Sequence, residues 1–291
     1  MEKLPTILIT GATSGIGQLA AIELARGGAH LILTARSEER AASTRAAIES
    51  AAPGTNVDIH YVDFTSLAAV ASAGREILAR HERIDVLINN AGLHAFEQRV
   101  TVDGYPEMIA VNYLAPWLLT HMLRDRLVRS SPARIVTIAS EASRQSGGLT
   151  PRSDLTNTAA FSARGSSAIY GKSKLLDIMF SLELARQLQG TSVVANCLCP
   201  GFNVTGLGRE LGFAAALSHV LNWLKIGDPR RGAGIIVRLA TDPAFGVTSG
   251  AYVSVRNARP LTPIPPGDDV GARQGLWSLT AELLADHLGA K

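Results

Sequence analysis

Two hydrophobic rhythms alternate along this chain. Short apolar runs at residues 6–10, 30–34, 58–62, 86–89, 134–138, 193–198 and 251–255 predict strands. Between them, Ala-rich stretches at 16–26, 38–51, 67–80, 169–189 and 231–240 repeat their apolar positions every three or four residues and predict helices. Ile7-Leu8-Ile9 and Val86-Leu87-Ile88 are continuous apolar runs, as expected of strands covered on both faces. Regular βα alternation with no internal repeat predicts an α/β fold with a doubly wound parallel sheet over a single domain, 1–291. A (β/α)₈ barrel is the alternative, but it needs eight similar units.

Two segments interrupt the rhythm. Residues 143–167 are polar and rich in Gly, Ser and Thr; residues 202–226 contain the apolar stretch 213–224. Irregular stretches this long in an α/β domain are commonly binding loops or lids. Phe213, Leu217, Val220, Leu221 and Leu224 share one helical stripe, so 213–224 reads either as a substrate lid or as a helix packed on the core. Residues 259–269, with Pro260, Pro263, Pro265 and Pro266, predict extended chain, and residues 276–288 a closing amphipathic helix.

Composition narrows the class. Hydrophobic residues at 46% and charged residues at 18% suit a folded globular protein. A formal net charge of +3 gives no reason to expect a nucleic-acid partner. Cys197 and Cys199, placed on one face of a predicted strand, make no disulfide framework and suggest a reduced, cytoplasmic setting. The polar start leading into the first strand predicts no signal peptide and no membrane anchor. Short-range His, Cys and carboxylate spacing suggests no metal site.

The first chemical signal follows the first strand: Thr10-Gly11-Ala12-Thr13-Ser14-Gly15-Ile16-Gly17. At a strand-to-helix turn, Gly11 permits the tight bend, Gly15 lets backbone approach a pyrophosphate and Gly17 allows close packing. The helix start supplies free N–H groups to the phosphates. The second strand ends in Thr34-Ala35-Arg36-Ser37, where an NAD site would carry Asp or Glu. Arg36 can instead pair with a 2′-phosphate, which predicts NADP(H).

The second signal is Tyr170-Gly-Lys-Ser-Lys174. At i and i+4, Tyr170 and Lys174 share a helix face. A phenol is a poor base at neutral pH, and a neighbouring ammonium favours its phenolate. The pair suits proton transfer to a carbonyl oxygen that receives hydride.

These elements and their order resemble the classical short-chain dehydrogenase/reductase family along essentially the whole chain. The resemblance rests on Thr10–Gly17, Asp63, Asn89-Asn90-Ala91-Gly92, Asn112, Ser140, Tyr170 with Lys174, and Pro200-Gly201. Thr101-Val-Asp-Gly-Tyr105, Val111-Asn-Tyr113, Leu118-Leu-Thr-His121 and residues 276–284 are similar to its retinol dehydrogenase-like branch. The resemblance implies a Rossmann-type fold and assigns roles residue by residue. Tyr170 is the acid/base; Lys174 binds the nicotinamide ribose and lowers the Tyr170 pKa; Ser140 polarises the substrate carbonyl. Asn112 holds a water that relays protons from Lys174. Gly11, Thr13, Ser14, Gly15, Ile16, Gly17 and Arg36 hold the phosphates. Asp63 and Phe64 lie by the adenine, Asn90, Ala91 and Gly92 by its ribose, and Pro200, Gly201 and Thr205 by the nicotinamide. Ser140 as a simple cap and Asn112 as a helix-backbone partner remain the plain alternatives.

Departures from the family pattern are informative. Ala115-Pro116 follows Asn112, and a proline there removes a helix hydrogen bond and predicts a kink that presents the Asn112 carbonyl. The start of the chain predicts no counterpart of the hydrophobic anchor of membrane-bound branch members, and retinoid specificity is therefore not expected to carry over. His94 reads more readily as a structural histidine than as a substrate contact. The function expected is NADP(H)-dependent interconversion of a carbonyl and an alcohol on a small hydrophobic substrate. The rival is a non-catalytic NADP(H)-binding redox sensor, which would have no use for Tyr170 and Lys174. Many relatives pair helices into dimers or tetramers, so a homo-oligomer is open.

Overall fold

The computed structural model describes residues 4–201 and 228–289. Its strands are β1 (Thr6–Ile9), β2 (His30–Ala35), β3 (Val57–Tyr61), β4 (Val86–Asn89), β5 (Ala133–Ile138), β6 (Val193–Cys199) and β7 (Tyr252–Ser254). They form one sheet in the order β3-β2-β1-β4-β5-β6-β7, and every neighbouring pair is parallel. The longer helices are α1 (Gly15–Arg26), α2 (Glu38–Ala51), α3 (Leu67–Arg80), α4 (Ala115–Arg129), α5 (Ala163–Gln187), α6 (Pro229–Thr241) and α7 (Val270–Leu283). This is the doubly wound, Rossmann-type architecture that the βα alternation predicts.

Continuous apolar strands exist because both faces are covered. Ile7 and Ile9 pack with Leu24 of α1, Ile48 of α2 and Ile236 of α6. Leu8, between them, points into the other layer with Val70 of α3, Trp117 of α4 and Phe180 of α5. The helix starts are fixed by side chains: Ser37 Oγ accepts from Arg40 N at the head of α2, and Ser66 Oγ from Ala69 N at the head of α3. Strand order reverses between β1 and β4, so a crevice opens at the carboxyl ends of these strands, the usual ligand position in such sheets.

Three expectations change. The segment 143–167 is largely built: a 3₁₀ turn over Glu141–Gln145, a helix over Pro151–Thr156, and α5, which begins at Ala163. Polar composition hid these short helices, because each buries little: Leu155 is the only buried residue of the second. The closing helix starts earlier, at Val270, since Asp269 caps it by accepting from Ala272 N. At Pro116 the chain does not simply kink. A π-helical turn, Ala110–Leu114, runs into α4, with Ala115 N–H bonded to Ala110 O. Pro116 cannot donate to the Asn112 carbonyl, and the chain accommodates the loss by widening the turn before it. Thr205 and the stripe 213–224 lie outside the described residues.

Candidate active site

Nearly all the residues singled out by sequence meet in one cleft of about 460 Å³ at the carboxyl ends of the strands. Gly11, Thr13, Ser14, Gly15, Ile16 and Gly17 form one wall, with Arg36, Asp63, Phe64, Asn90, Ala91 and Gly92 around them. Ser140, Tyr170, Lys174, Pro200 and Gly201 line the other end. Asn112 sits behind the wall at 2% exposure rather than on it.

The glycine turn is sterically obligatory at two points. Gly11 has φ +65°, and a Cβ there would lie 2.8 Å from Ala91 Cα. A Cβ on Gly17 would lie 2.3 Å from Asn90 Nδ2. That amide donates to Thr10 O at 2.8 Å and Gly11 O at 3.1 Å, so Asn90 locks the turn from beneath. Thr10 Oγ1 accepts from Asn90 N and Ala91 N, joining the β1 and β4 loops. Helix α1 then begins at Gly15 with Ser14 extended before it and no side-chain cap. Gly15, Ile16 and Gly17, whose N–H groups open the helix, line the cleft, and among the described residues Ser14 supplies them no cap.

At the β2 end, Arg36 and Arg40 are both exposed and both line the cleft. Sequence reading missed Arg40, although the i, i+4 spacing from Arg36 was available as a signal. Asp63 Oδ1 accepts from Thr65 N and Thr65 Oγ1, which fixes the loop after β3.

The reactive end is built by close packing of α5 on the 3₁₀ turn. A Cβ on Gly171 would be 2.6 Å from Ala142 O, so the glycine next to Tyr170 lets the helix press on the Ser140 segment. Ser140 does cap that turn, its Oγ accepting from Ala142 N at 3.1 Å, and it also faces the cleft. The Tyr170 ring stacks on His94 with centroids 4.6 Å apart at 12°. His94 is hydrogen-bonded to Ser166 Oγ at 3.1 Å, the satisfied state expected, yet it lines the cleft against the tyrosine.

Lys174 is buried, with Nζ donating to Ile138 O at 2.9 Å and Asp177 Oδ2 at 2.7 Å. Its Nζ lies 5.8 Å from the Tyr170 ring centroid. Burial pushes the Tyr170 phenol above its ordinary range, and the Lys174 charge pulls it down. The burial effect is the larger here, so the lowering expected from Lys174 is present but outweighed. Burial alone would lower the Lys174 pKa; Asp177 and Tyr170 reverse this and hold it protonated. Asp177 itself is pushed up to about 6 by burial, against the pull of Lys174. Sequence reading missed Asp177, which lies one turn beyond Lys174 on the same helix.

Asn112 is a brace as well as a backbone feature. Its Oδ1 accepts from Leu93 N at 2.8 Å, and its Nδ2 donates to Leu93 O and Ser173 Oγ, both at 2.9 Å. It thereby ties the loop after β4 to the helix that carries Tyr170. Cys197 and Cys199 are buried on one side of β6 and burial raises the Cys197 thiol, which leaves it inert.

A family model described as short chain dehydrogenase matches residues 5–151, which include the glycine turn, Asn112 and Ser140 and stop before Tyr170 and Lys174. Retinol dehydrogenase 13 of Homo sapiens is 33% identical over 285 residues, covering 96% of this chain and 84% of that one. The chain belongs to the short-chain dehydrogenase family. Within this oxidoreductase family it falls in the retinol dehydrogenase-like branch. This short-chain dehydrogenase is also 34% identical to a Streptomyces protein named "Putative daunorubicin C-13 ketoreductase DnrU", over 97% of this chain and 93% of that one. A crystal structure of an uncharacterized Mycobacterium paratuberculosis protein superposes with a TM-score of 0.73 at 28% identity, covering 97% and 96% of the two chains. Among the described residues no helix is long and apolar enough to cross a membrane.

Proposed function

We propose that this short-chain dehydrogenase interconverts a carbonyl and an alcohol on a small hydrophobic substrate, with NADP(H) as cofactor and Tyr170 as acid/base. One observation carries the reading: a single cleft joins the glycine turn and two arginines to the Tyr170–Lys174 pair and Ser140. The cradle fits a dinucleotide, because Gly11, Gly15 and Gly17 line the cleft with no side chain on their backbone, and Gly11 and Gly15 hold positive φ. Arg36 and Arg40, with no carboxylate at the end of β2, fit a 2′-phosphate. The Ser14–Gly17 backbone would hold the pyrophosphate, Asp63 and Phe64 the adenine side, and Asn90–Gly92 its ribose. Pro200, Gly201 and Lys174 would hold the nicotinamide end.

When bound, the cofactor supplies or accepts the hydride at the substrate carbon. The chain's own residues manage the proton. In the reducing direction the Tyr170 hydroxyl donates to the carbonyl oxygen, where negative charge develops, and Ser140 offers that oxygen a second donor. The fixed Lys174 charge stabilises the phenolate left behind. Asn112 keeps the β4 loop and α5 in register, so that this geometry is preorganised. The names of the relatives, a retinol dehydrogenase and a ketoreductase, support alcohol–carbonyl chemistry.

The test is an NADPH-absorbance assay on a panel of aldehydes, ketones and alcohols, with the parent chain and Tyr170→Phe. Turnover by the parent and at least hundredfold less by the variant, with NADPH binding retained, is expected. NADPH binding without turnover of any panel member would favour the sensor reading instead. Comparable turnover by the variant would remove Tyr170 from the role.

A further inference from the structure

A second cluster of reactive side chains lies at the other end of the sheet. His30 heads β2, Asp58 is the second residue of β3, and His81 follows the last residue of α3. No short sequence spacing links them; the fold brings them together. One ligand atom from each lies within 4.8 Å of the others. His30 Nε2 is 2.8 Å from Asp58 Oδ2, and His81 Nδ1 is 4.0 Å from the same oxygen. We propose that His30, Asp58 and His81 form a binding site for a divalent transition metal of the zinc type, remote from the cofactor cleft and contrary to the sequence expectation of no metal site.

The proton arrangement behind His81 supports this. His81 Nε2 and His60 Nε2 are 2.9 Å apart, so one nitrogen donates and the other accepts. His60 is buried, and its Nδ1 lies 3.1 Å from a Glu76 carboxylate oxygen, outside hydrogen-bond geometry but close enough for the negative charge to favour the N–H over a lone pair at Nδ1. Nε2 of His60 then accepts, Nε2 of His81 donates, and Nδ1 of His81 is left with its lone pair toward Asp58. A lone pair set against a carboxylate is repulsive as it stands, and a cation between them turns it into ligation. The Glu76 charge and the His60–His81 contact together favour this tautomer, the role that carboxylate–histidine pairs play behind metal ligands.

Size and access fit as well. Zinc–nitrogen and zinc–oxygen bonds of about 2.1 Å in a tetrahedron place ligand atoms about 3.4 Å apart. The 2.8 and 4.0 Å separations straddle that value and the third lies within 4.8 Å, so side-chain rotations that draw the imidazoles together would close the site. His30 and Asp58 are about a quarter exposed, which opens a path and a fourth position to water. Two imidazoles with one carboxylate favour zinc over magnesium or calcium. Arg80 is the opposing charge, 3.4 Å from Asp58 Oδ1, but it is half-exposed and also bonds Glu76, so it can turn outward.

The site is tested by titrating the chelator-treated full chain with Zn²⁺ in a calorimeter, and with Co²⁺ in a visible absorption measurement. One equivalent with micromolar or tighter affinity is expected, together with a tetrahedral Co²⁺ band and a melting temperature that rises with zinc. His81→Asn and, at a partly exposed position where folding is not at risk, His30→Gln should each weaken zinc at least tenfold. His60→Gln should weaken it by a similar factor through loss of the tautomer relay. Circular dichroism of the metal-free variants checks that they are folded. Absence of saturable binding at millimolar zinc, or binding unchanged in the folded His30→Gln variant, would overturn the proposal.

Discussion

Lys174 and Asp177 form a fully buried ion pair, Nζ to Oδ2 at 2.7 Å, inside the wall of the cleft. The positive charge that tunes Tyr170 is therefore partly balanced before any ligand arrives. Asp177 Oδ1 has no hydrogen-bond partner among the described residues, so the carboxylate is held mainly by Lys174 and the Ile138 end of β5 holds the lysine. In the proposed mechanism Asp177 acts through Lys174, as a positioning residue.

Asp177→Asn separates its charge from its volume. Removing the carboxylate removes a repulsion on the Tyr170 phenolate, which lowers the Tyr170 pKa, and leaves the phenolate as the counter-charge of the buried Lys174. In the proposed mechanism alcohol oxidation needs the phenolate, so its rate rises with pH through that pKa. The rising limb should move to lower pH by about 1 unit. Stability should fall by about 3 kcal/mol, because a buried charge loses its partner. A pH–rate profile and a urea melt read the two effects; an unmoved limb would leave Asp177 a purely structural group.

Cofactor choice should follow the arginine pair. Arg36→Ala is expected to weaken NADPH by about 1.5–3 kcal/mol, the scale of hydrogen bonds to a charged group, and to leave NADH nearly unchanged. Arg36→Ala with Arg40→Ala should weaken NADPH further. Calorimetric titration with both cofactors measures this. Equal affinity of the parent for NADPH and NADH would remove the basis for the preference.

Gly17→Ala should damage the turn rather than the chemistry. Its Cβ would meet Asn90 Nδ2 at 2.3 Å, and displacing that amide breaks its bonds to Thr10 O and Gly11 O. Overpacking of this kind costs about 1–3 kcal/mol. Lower thermal stability and weaker NADPH binding should appear together, and a variant as stable as the parent would show that Asn90 has room to move.

The layout of the fold was legible because parallel strands buried on both faces have no polar alternation, and Ile7-Leu8-Ile9 displays that directly. The cleft was legible where chemistry is local in sequence: the glycine turn, Arg36, and Tyr170 with Lys174. What stayed hidden depends on three-dimensional context. Arg40 looks like any helix-surface arginine, and Asp177 like a polar interruption of an apolar helix until the fold buries it. The π-turn around Asn112 is a response to Pro116 that no periodicity records. His30, Asp58 and His81 belong to three elements, so no spacing rule unites them.

The same histidine cluster should set part of the acid stability in metal-free protein. Burial first, then the neighbouring His60 charge, lowers His81 from its ordinary 6.5 to about 4, against the pull of Asp58. A group whose folded pKa is depressed contributes stability that is present above the unfolded value and is lost as pH falls through the folded value. The window is therefore pH 6.5 down to about 4. Full conversion of the shift would overstate it, because solvent reaches the rim of the cluster at Asp58 and Arg80. A loss of about 2 kcal/mol across the window is expected after that discount. In His81→Asn, which cannot titrate, the slope of stability against pH should flatten over the same interval, whatever its absolute stability. Urea melts in chelator at closely spaced pH values measure both slopes. Parallel curves for parent and variant would mean that His81 is protonated as readily in the folded chain as in the unfolded one.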